Sequence, residues 1–231
     1  MGMTYQQVQA IAKATMQYAR KTIRSGMRLT EVRKLCEDKL LELGADSFWY
    51  WDVGAFVFAG DETTISVSGT EYQTSDRMLG MDDIITIDLS PQVNSVWGDY
   101  ARTIILEDGC VVDLIENITN PEWKRGLEME GKLHDELFRC ARPDMTFEEL
   151  YFHMNTFIVE NGFINLDFLG NLGHSIVREK KDRIYIEKGN QMKLGDVHYF
   201  TFEPHISVTR SLFGYKLEDI YYFEKGQLKK L

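Results

Sequence analysis

Acidic residues stand at matched places in the two halves of this 231-residue sequence. The strand-like segment Asp83-Ile-Ile-Thr-Ile-Asp88 ends on an acid, and Asp99 follows eleven residues later, across the turn formers Ser90, Pro91, Asn94 and Ser95. Further on, Asp196 opens an aromatic and β-branched run ending on Glu203, and Glu218 comes fifteen residues later, leading into Asp219-Ile-Tyr-Tyr-Phe223. Alternation along Ile85-Thr86-Ile87-Asp88 sends the isoleucines to one face and Thr86 with Asp88 to the other. Asp88 can then face a pocket while its neighbours fill a core. Two carboxylates held together repel unless one keeps its proton or a cation lies between them. Four of them, joined by one imidazole, carry about four negative charges, which two divalent ions neutralise and no single Lys or Arg could. Oxygen-rich ligation with one nitrogen suits Mn, Fe, Co or Zn and selects none of them. Any one of these acids alone reads as a strand-end group facing water; the spaced set points to metal.

Helical periodicity predicts two helices over residues 5–23 and 29–43, and two more over 121–141 and 146–160. A shift of 118 residues places Met27 on Met145, Leu29 on Phe147, Glu31 on Glu149, Val32 on Leu150, Glu42 on Glu160 and Gly44 on Gly162. Shared capping of two helix ends explains that window as well as ancestry does, and the acid-bearing strands that follow each pair favour a repeat. The expected architecture is a single α+β domain over 1–231 with an internal duplication near 1–118 and 119–231. Each half consists of two helices followed by paired strands.

Composition narrows the function. A hydrophobic content of 44% supports one sizeable core, and no Ser/Pro/Gly-rich linker divides the chain. A net charge of −10 supplies no basic face for nucleic acid. Cys36, Cys110 and Cys140 are odd in number and widely spaced, which indicates neither a disulfide framework nor a thiolate zinc site and fits a reducing cytoplasm. No signal-like N-terminus and no apolar run near 18 residues point to a membrane.

The strings IDLSPQVNSVWGDYART, LGHSI, TFEPHI and KLEDIYYF resemble the signature segments of the pita-bread metallopeptidases, the family of methionine aminopeptidase, prolidase and Xaa-Pro aminopeptidase. The resemblance covers nearly the whole chain. It implies a pita-bread fold, with two pseudo-symmetric halves around a central metal site, and the ligand order Asp88, Asp99, His174, Glu203, Glu218. Asp88 would bind one ion, His174 and Glu203 the other, and Asp99 with Glu218 would bridge them. The implied chemistry is cleavage of short peptides near their N-terminus by a hydroxide held between two metal ions, with Glu203 as proton shuttle. A homodimer is compatible with the family. The Arg102-Thr103 pair resembles the Xaa-Pro branch, whose extra N-terminal domain is not expected here.

The chain departs from the family in its supporting histidines. Family peptidases carry one before the first Asp and one a few residues after the ligand His; here no histidine precedes His134, and Lys181 stands seven residues beyond His174. Such donors are worth about 2.7–4 kcal/mol to a transition state. His205 is the candidate stand-in, against an ordinary turn or surface role. His198 is expected to pack within a strand, and His134 and His153 to lie partly exposed on helices. The aromatic run Phe48-Trp49-Tyr50-Trp51, with Phe56 and Phe58, is expected in the core more than in a pocket wall. Gly170 and Gly173 would let the backbone approach closely around His174. Two rivals accompany the peptidase reading: a metal- or peptide-binding protein of the same fold without turnover, and a hydrolase of a small non-peptide amide.

Overall fold

Two helix pairs flank a set of small antiparallel sheets in the computed structural model of the chain, which describes residues 2–231. Helices α1 (Tyr5–Thr22), α2 (Leu29–Glu42), α3 (Pro121–Cys140) and α4 (Phe147–Glu160) lie within one residue of the predicted spans. Thr4 and Gln7 form a capping box on α1, Thr146 and Glu149 another on α4, and Asn120 caps α3 ahead of Pro121. At α2 the cap residue is Arg28, and only Glu31 reaches back, accepting from the Arg28 N–H at 2.7 Å. Glu31 and Glu149 therefore do the same capping work. Gly44 and Gly162, at φ +108° and +80°, end their helices in the left-handed region.

In the N-terminal half, β1 (Ser47–Phe48), β4 (Pro91–Val93) and β5 (Val96–Trp97) form a small sheet in the order β1-β4-β5. Strands β2 (Ala55–Ala59), β3 (Asp83–Leu89), β6 (Tyr100–Glu107) and β7 (Cys110–Val111) form a larger one in the order β2-β3-β6-β7. In the C-terminal half, β8 (Phe163–Asn165), β11 (His205–Val208) and β12 (Gly214–Lys216) order as β12-β11-β8. Strands β9 (Ser175–Ile176), β10 (Tyr199–Phe202), β13 (Asp219–Glu224) and β14 (Gln227–Lys230) order as β14-β13-β10-β9. No helix among the described residues is long and apolar enough to cross a membrane.

Each helix pair covers its own core. Ile85 and Ile87 join Val8, Ile11, Leu29 and Val32 under α1 and α2, whereas Ile84 and Ile105 join Leu133, Phe147, Phe200 and Tyr221 under α3 and α4. Strands β3 and β6 are thus buried on both faces, and the period-2 alternation that sends Ile85 and Ile87 one way sends Thr86 and Asp88 the other. Register then gathers the acids. Asp88 pairs with Ala101, just past Asp99, while Phe202 pairs with Asp219, so Glu203 and Glu218 flank the end of that ladder.

The Arg102-Thr103 pair fastens one half to the other. Arg102 donates to both Asp219 oxygens at 2.9 and 3.1 Å and to the Glu218 carbonyl at 2.6 Å. Thr103 Oγ1 accepts from the Lys216 N–H at 2.8 Å and donates to the Lys216 carbonyl at 3.1 Å.

Two histidines differ from expectation. His134 is buried, its Nε2–H donating to the Leu217 carbonyl at 3.0 Å and its Nδ1 accepting from Tyr221 at 2.6 Å. The α3 row Gly126, Glu130, His134 faces the strands, because Gly126 leaves room for the Tyr215 ring where a Cβ would lie 2.2 Å from it. His198 is exposed just ahead of β10, with its ring edge-on to Tyr199. Neighbouring Tyr199 takes the packing position the sequence reading gave to His198.

Candidate metal centre

The structure brings Asp88, Asp99, His174, Glu203 and Glu218 together between the halves. Ligand atoms of Asp99, His174 and Glu218 lie within 4.8 Å of one another, and those of Asp88, Glu203 and Glu218 do the same, so Glu218 belongs to both groups. Glu218 is fully buried and neither of its carboxylate oxygens has a hydrogen-bond partner. Burial, reinforced by Asp99, Glu203 and Asp88, holds its pKa well above the ordinary range. Asp99 is shifted the same way by burial, then by Asp88 and Glu203. A buried carboxylate with two empty acceptors is costly and is the kind of group a cation satisfies.

Local structure fixes each donor. The amide of Gln9, buried on α1, clasps the Asp99 backbone from both sides: its oxygen accepts the Asp99 N–H at 3.0 Å and its nitrogen donates to the Asp99 carbonyl at 2.6 Å. In the other half Thr201 Oγ1 accepts the His174 N–H at 2.9 Å and donates to Glu203 Oε1 at 3.2 Å. That bracket needs Gly173, since at its φ of +141° a Cβ would stand 2.3 Å from the Thr201 carbonyl oxygen. His174 Nδ1 contacts the Ser175 carbonyl at 3.2 Å, which sets the Nδ1–H tautomer. Burial lowers this imidazole's pKa to about 4, so its Nε2 lone pair faces Asp99 Oδ2 and Glu203 Oε1, each 3.5 Å away. A lone pair aimed between two carboxylate oxygens suits a metal cation or a proton kept by Asp99.

A lysine that sequence reasoning missed lies in the same cluster. Lys216 Nζ stands 2.5 Å from Asp88 Oδ2 and 3.1 Å from Glu203 Oε2. Burial alone would depress its pKa, but Asp88, Glu203 and Glu218 outweigh that and raise it. For Glu203 burial pushes upward, and Lys216 with His174 bring the net shift downward. The expectation that no single Lys could neutralise the cluster meets this ammonium, yet four carboxylates against one ammonium still leave three negative charges when all are ionised. Two of those three charges would lie on Asp99 and Glu218, the acids whose pKa burial and neighbouring carboxylates raise. In the sequence Lys216 has only its position, two residues before Glu218 and next to core Tyr215, to mark it.

A cavity of about 140 Å³ opens onto the cluster, walled by Trp49, Tyr50, Phe56, Phe58, Phe168 and Leu169. The expected core packing holds for Trp49 and Phe56, which are buried, and both also wall the pocket: Trp49 stacks on Trp97 at 4.2 Å and meets His174 edge-on at 5.6 Å, whereas Trp51 is exposed. His205 lines the same cavity from β11. It is buried, and its Nε2–H donates to the Thr63 carbonyl at 2.7 Å. Burial, then Lys216, lowers its pKa to about 4, so the ring is neutral near pH 7.

Comparison with known proteins agrees with this architecture. Residues 4–225 match metallopeptidase family M24. No curated protein matches the chain in sequence. Among solved structures, the X-Pro aminopeptidase from Thermotoga maritima MSB8 is 21% identical with a TM-score of 0.79 and covers 97% of this chain and 58% of its own. The prolidase from Pyrococcus furiosus is 22% identical with a TM-score of 0.79, over 97% of this chain and 61% of its own. The Xaa-Pro dipeptidase from Bacillus anthracis is 18% identical with a TM-score of 0.77, over 96% of this chain and 57% of its own. The chain thus spans about three-fifths of the length of these relatives, and at such identities the likeness concerns the fold. Family match and shared fold together make this chain a member of metallopeptidase family M24 with the pita-bread architecture.

Proposed function

We propose that the chain is a metal-dependent peptidase that hydrolyses an amide bond near the amino end of a short peptide. The reading uses two divalent ions, drawn from Mn, Co, Fe or Zn, held by Asp88, Asp99, His174, Glu203 and Glu218. What carries it is Glu218, buried with both oxygens unpartnered and common to two three-residue ligand groups. Ions bound there supply Lewis-acid polarisation of the scissile carbonyl and acidify an attacking water. The chain's own residues do the rest. Glu203, whose Oε1 is oriented by Thr201, takes the proton released by that water and returns it to the leaving amine.

His205 fits a positioning role in place of the absent family histidines. Its only N–H is committed to Thr63, which leaves Nδ1 as a lone pair able to accept a substrate N–H and unable to donate to an oxyanion. The aromatic walls suit a peptide with a small apolar side chain or ring, in keeping with the X-Pro and Xaa-Pro substrates named for the structural relatives. Three free cysteines, two of them buried, accord with a reducing compartment such as the cytoplasm.

A second reading, binding of metal or peptide without turnover, is favoured by Lys216, whose ammonium sits on two of the five proposed ligands. Metal analysis of protein purified without chelator, followed by assay of an Xaa-Pro peptide panel with added Mn, Co or Zn, separates the readings. About two ions per chain with metal-dependent cleavage is expected. Bound metal without cleavage selects the second reading, and protein that takes up no metal refutes the peptidase and leaves only the peptide-binding form of the second.

A further inference from the structure

Away from the carboxylate cluster, Glu136, Cys140 and His153 converge where α3 packs on α4. Their ligand atoms all lie within 4.8 Å of one another, and nothing in the proposed reaction uses them. Glu136 and Cys140 share one face of α3 by their four-residue spacing, and α4 supplies His153 opposite. His153 Nε2 stands 2.5 Å from Glu136 Oε1. Glu136 and Cys140 are buried, at 6% and 9% exposure, while the His153 side chain, 39% exposed, opens the site to solvent.

We propose that this trio is a second metal site, independent of the carboxylate cluster, which takes a thiolate-preferring divalent ion such as zinc. Thiolate, imidazole and carboxylate form a three-ligand set with room for water as the fourth ligand. The set favours Zn, Co or Cd over the harder Mn and Mg, a discrimination the four-carboxylate centre does not make. Arg139 is the group in the way: it holds Glu136 through Nε at 2.7 Å and Nη2 at 2.6 Å. Its side chain is 73% exposed and free to leave, and the arriving ion replaces the positive charge it withdraws.

The alternative use of these residues, a thiol nucleophile with a histidine base, is opposed by the surroundings. Burial and then the Glu136 carboxylate push the Cys140 thiol up to about 11, so there is little thiolate to attack a substrate. An ion supplies the missing positive charge. It binds the sulfur as thiolate, and the displaced proton leaves to solvent.

Cobalt distinguishes the two centres, because only this one offers sulfur. The full-length protein, first saturated with Mn(II), is titrated with Co(II) and followed by the near-ultraviolet thiolate-to-cobalt absorption. One equivalent should develop the band, Zn(II) should abolish it, and excess Mn(II) should not. The band should vanish in Cys140→Ser, weaken in His153→Gln and persist in Glu218→Gln. Absence of the band in the wild type, or its survival in Cys140→Ser, overturns the proposal. Alkylation of the unmutated protein tests it without variants. Zn(II) should slow the labelling of Cys140 seen on long incubation without metal and leave exposed Cys110 reactive, whereas labelling of Cys140 at the same measurable rate with and without zinc counts against the site.

Discussion

In the N-terminal half Asp88 and Asp99 flank the β3–β6 ladder; in the C-terminal half Glu203 and Glu218 flank β10–β13. The anions are shared evenly. The cations that offset them are not, since Lys216 and Arg183, whose charges both act to lower the Asp99 pKa, come from the C-terminal half. The N-terminal half contributes only the Gln9 clasp on the Asp99 backbone, and the C-terminal half supplies the side-chain partners, Thr201 to Glu203 and Lys216 to both Glu203 and Asp88. Equivalent strand positions therefore place charge, while its compensation is left to one half and to the proposed cations. Substitutions on the two sides should fail in different ways.

Glu218→Gln and Asp88→Asn give the largest effect and the cleanest contrast. Glu218 serves both ligand groups and Asp88 one. Metal analysis should show the Glu218 variant losing both ions and peptidase activity falling by more than about 100-fold, since loss of supporting partners alone costs up to that much. Asp88→Asn should keep one ion. Equal stoichiometry in the two variants would remove Glu218 from its shared position.

Lys216→Met tests where compensation comes from. Without metal, Asp88 and Glu203 lose their cation, and removing one partner of a largely buried pair costs about 3 kcal/mol. Urea midpoints should show that loss in metal-free protein and a much smaller one at saturating Mn(II), where the ions take over. Metal affinity should rise. The same loss with and without metal would make Lys216 a packing residue rather than a counter-ion.

Charge and periodicity made the frame legible, but not its compensation. The four helices and the acid-bearing strand ends show in sequence because apolar spacing and strand alternation are local signals. A lone lysine carries no such signal: Lys216 reads as a solvated strand residue until β11 pairing sets it opposite His205 and beside the acids. His134 failed for a similar reason. Its neighbours Lys132 and Asp135 are polar, and only Tyr221 and the Leu217 carbonyl, more than eighty residues away, make its burial tolerable. Trp49 was legible as an apolar residue more than as a pocket wall, because its ring's neighbour His174 arrives from the other half.

The backbone clasps come next in size. Gln9→Leu strands the Asp99 N–H and carbonyl together, at about 1–3 kcal/mol for each buried group left unsatisfied. Thr201→Val strands only the His174 N–H and frees Glu203 Oε1, so its cost should be about 1–3 kcal/mol in total. Denaturant midpoints of metal-free protein should therefore fall further for Gln9→Leu. The opposite order would mean that the N-terminal aspartate is held by its strand rather than by α1.

The smallest effect separates the halves by acid response. No histidine precedes His134, so histidine-linked acid sensitivity belongs to the C-terminal half. Burial lowers the His134 pKa from 6.5 in the open chain to about 3. Between those values the unfolded chain holds a proton that the native ring refuses, so stability must fall as pH drops below about 6.5. The slope is about 1.4 kcal/mol per pH unit for each such group. His174 and His205, each lowered to about 4, add to it. His134→Gln keeps an N–H for the Leu217 carbonyl and cannot titrate. Its stability, measured by urea unfolding at pH 7, 6 and 5, should decline less steeply than that of the wild type, by up to that one-proton slope. Parallel declines would mean that the native His134 ring accepts the proton, and that its bonds to Tyr221 and Leu217 rearrange to allow it.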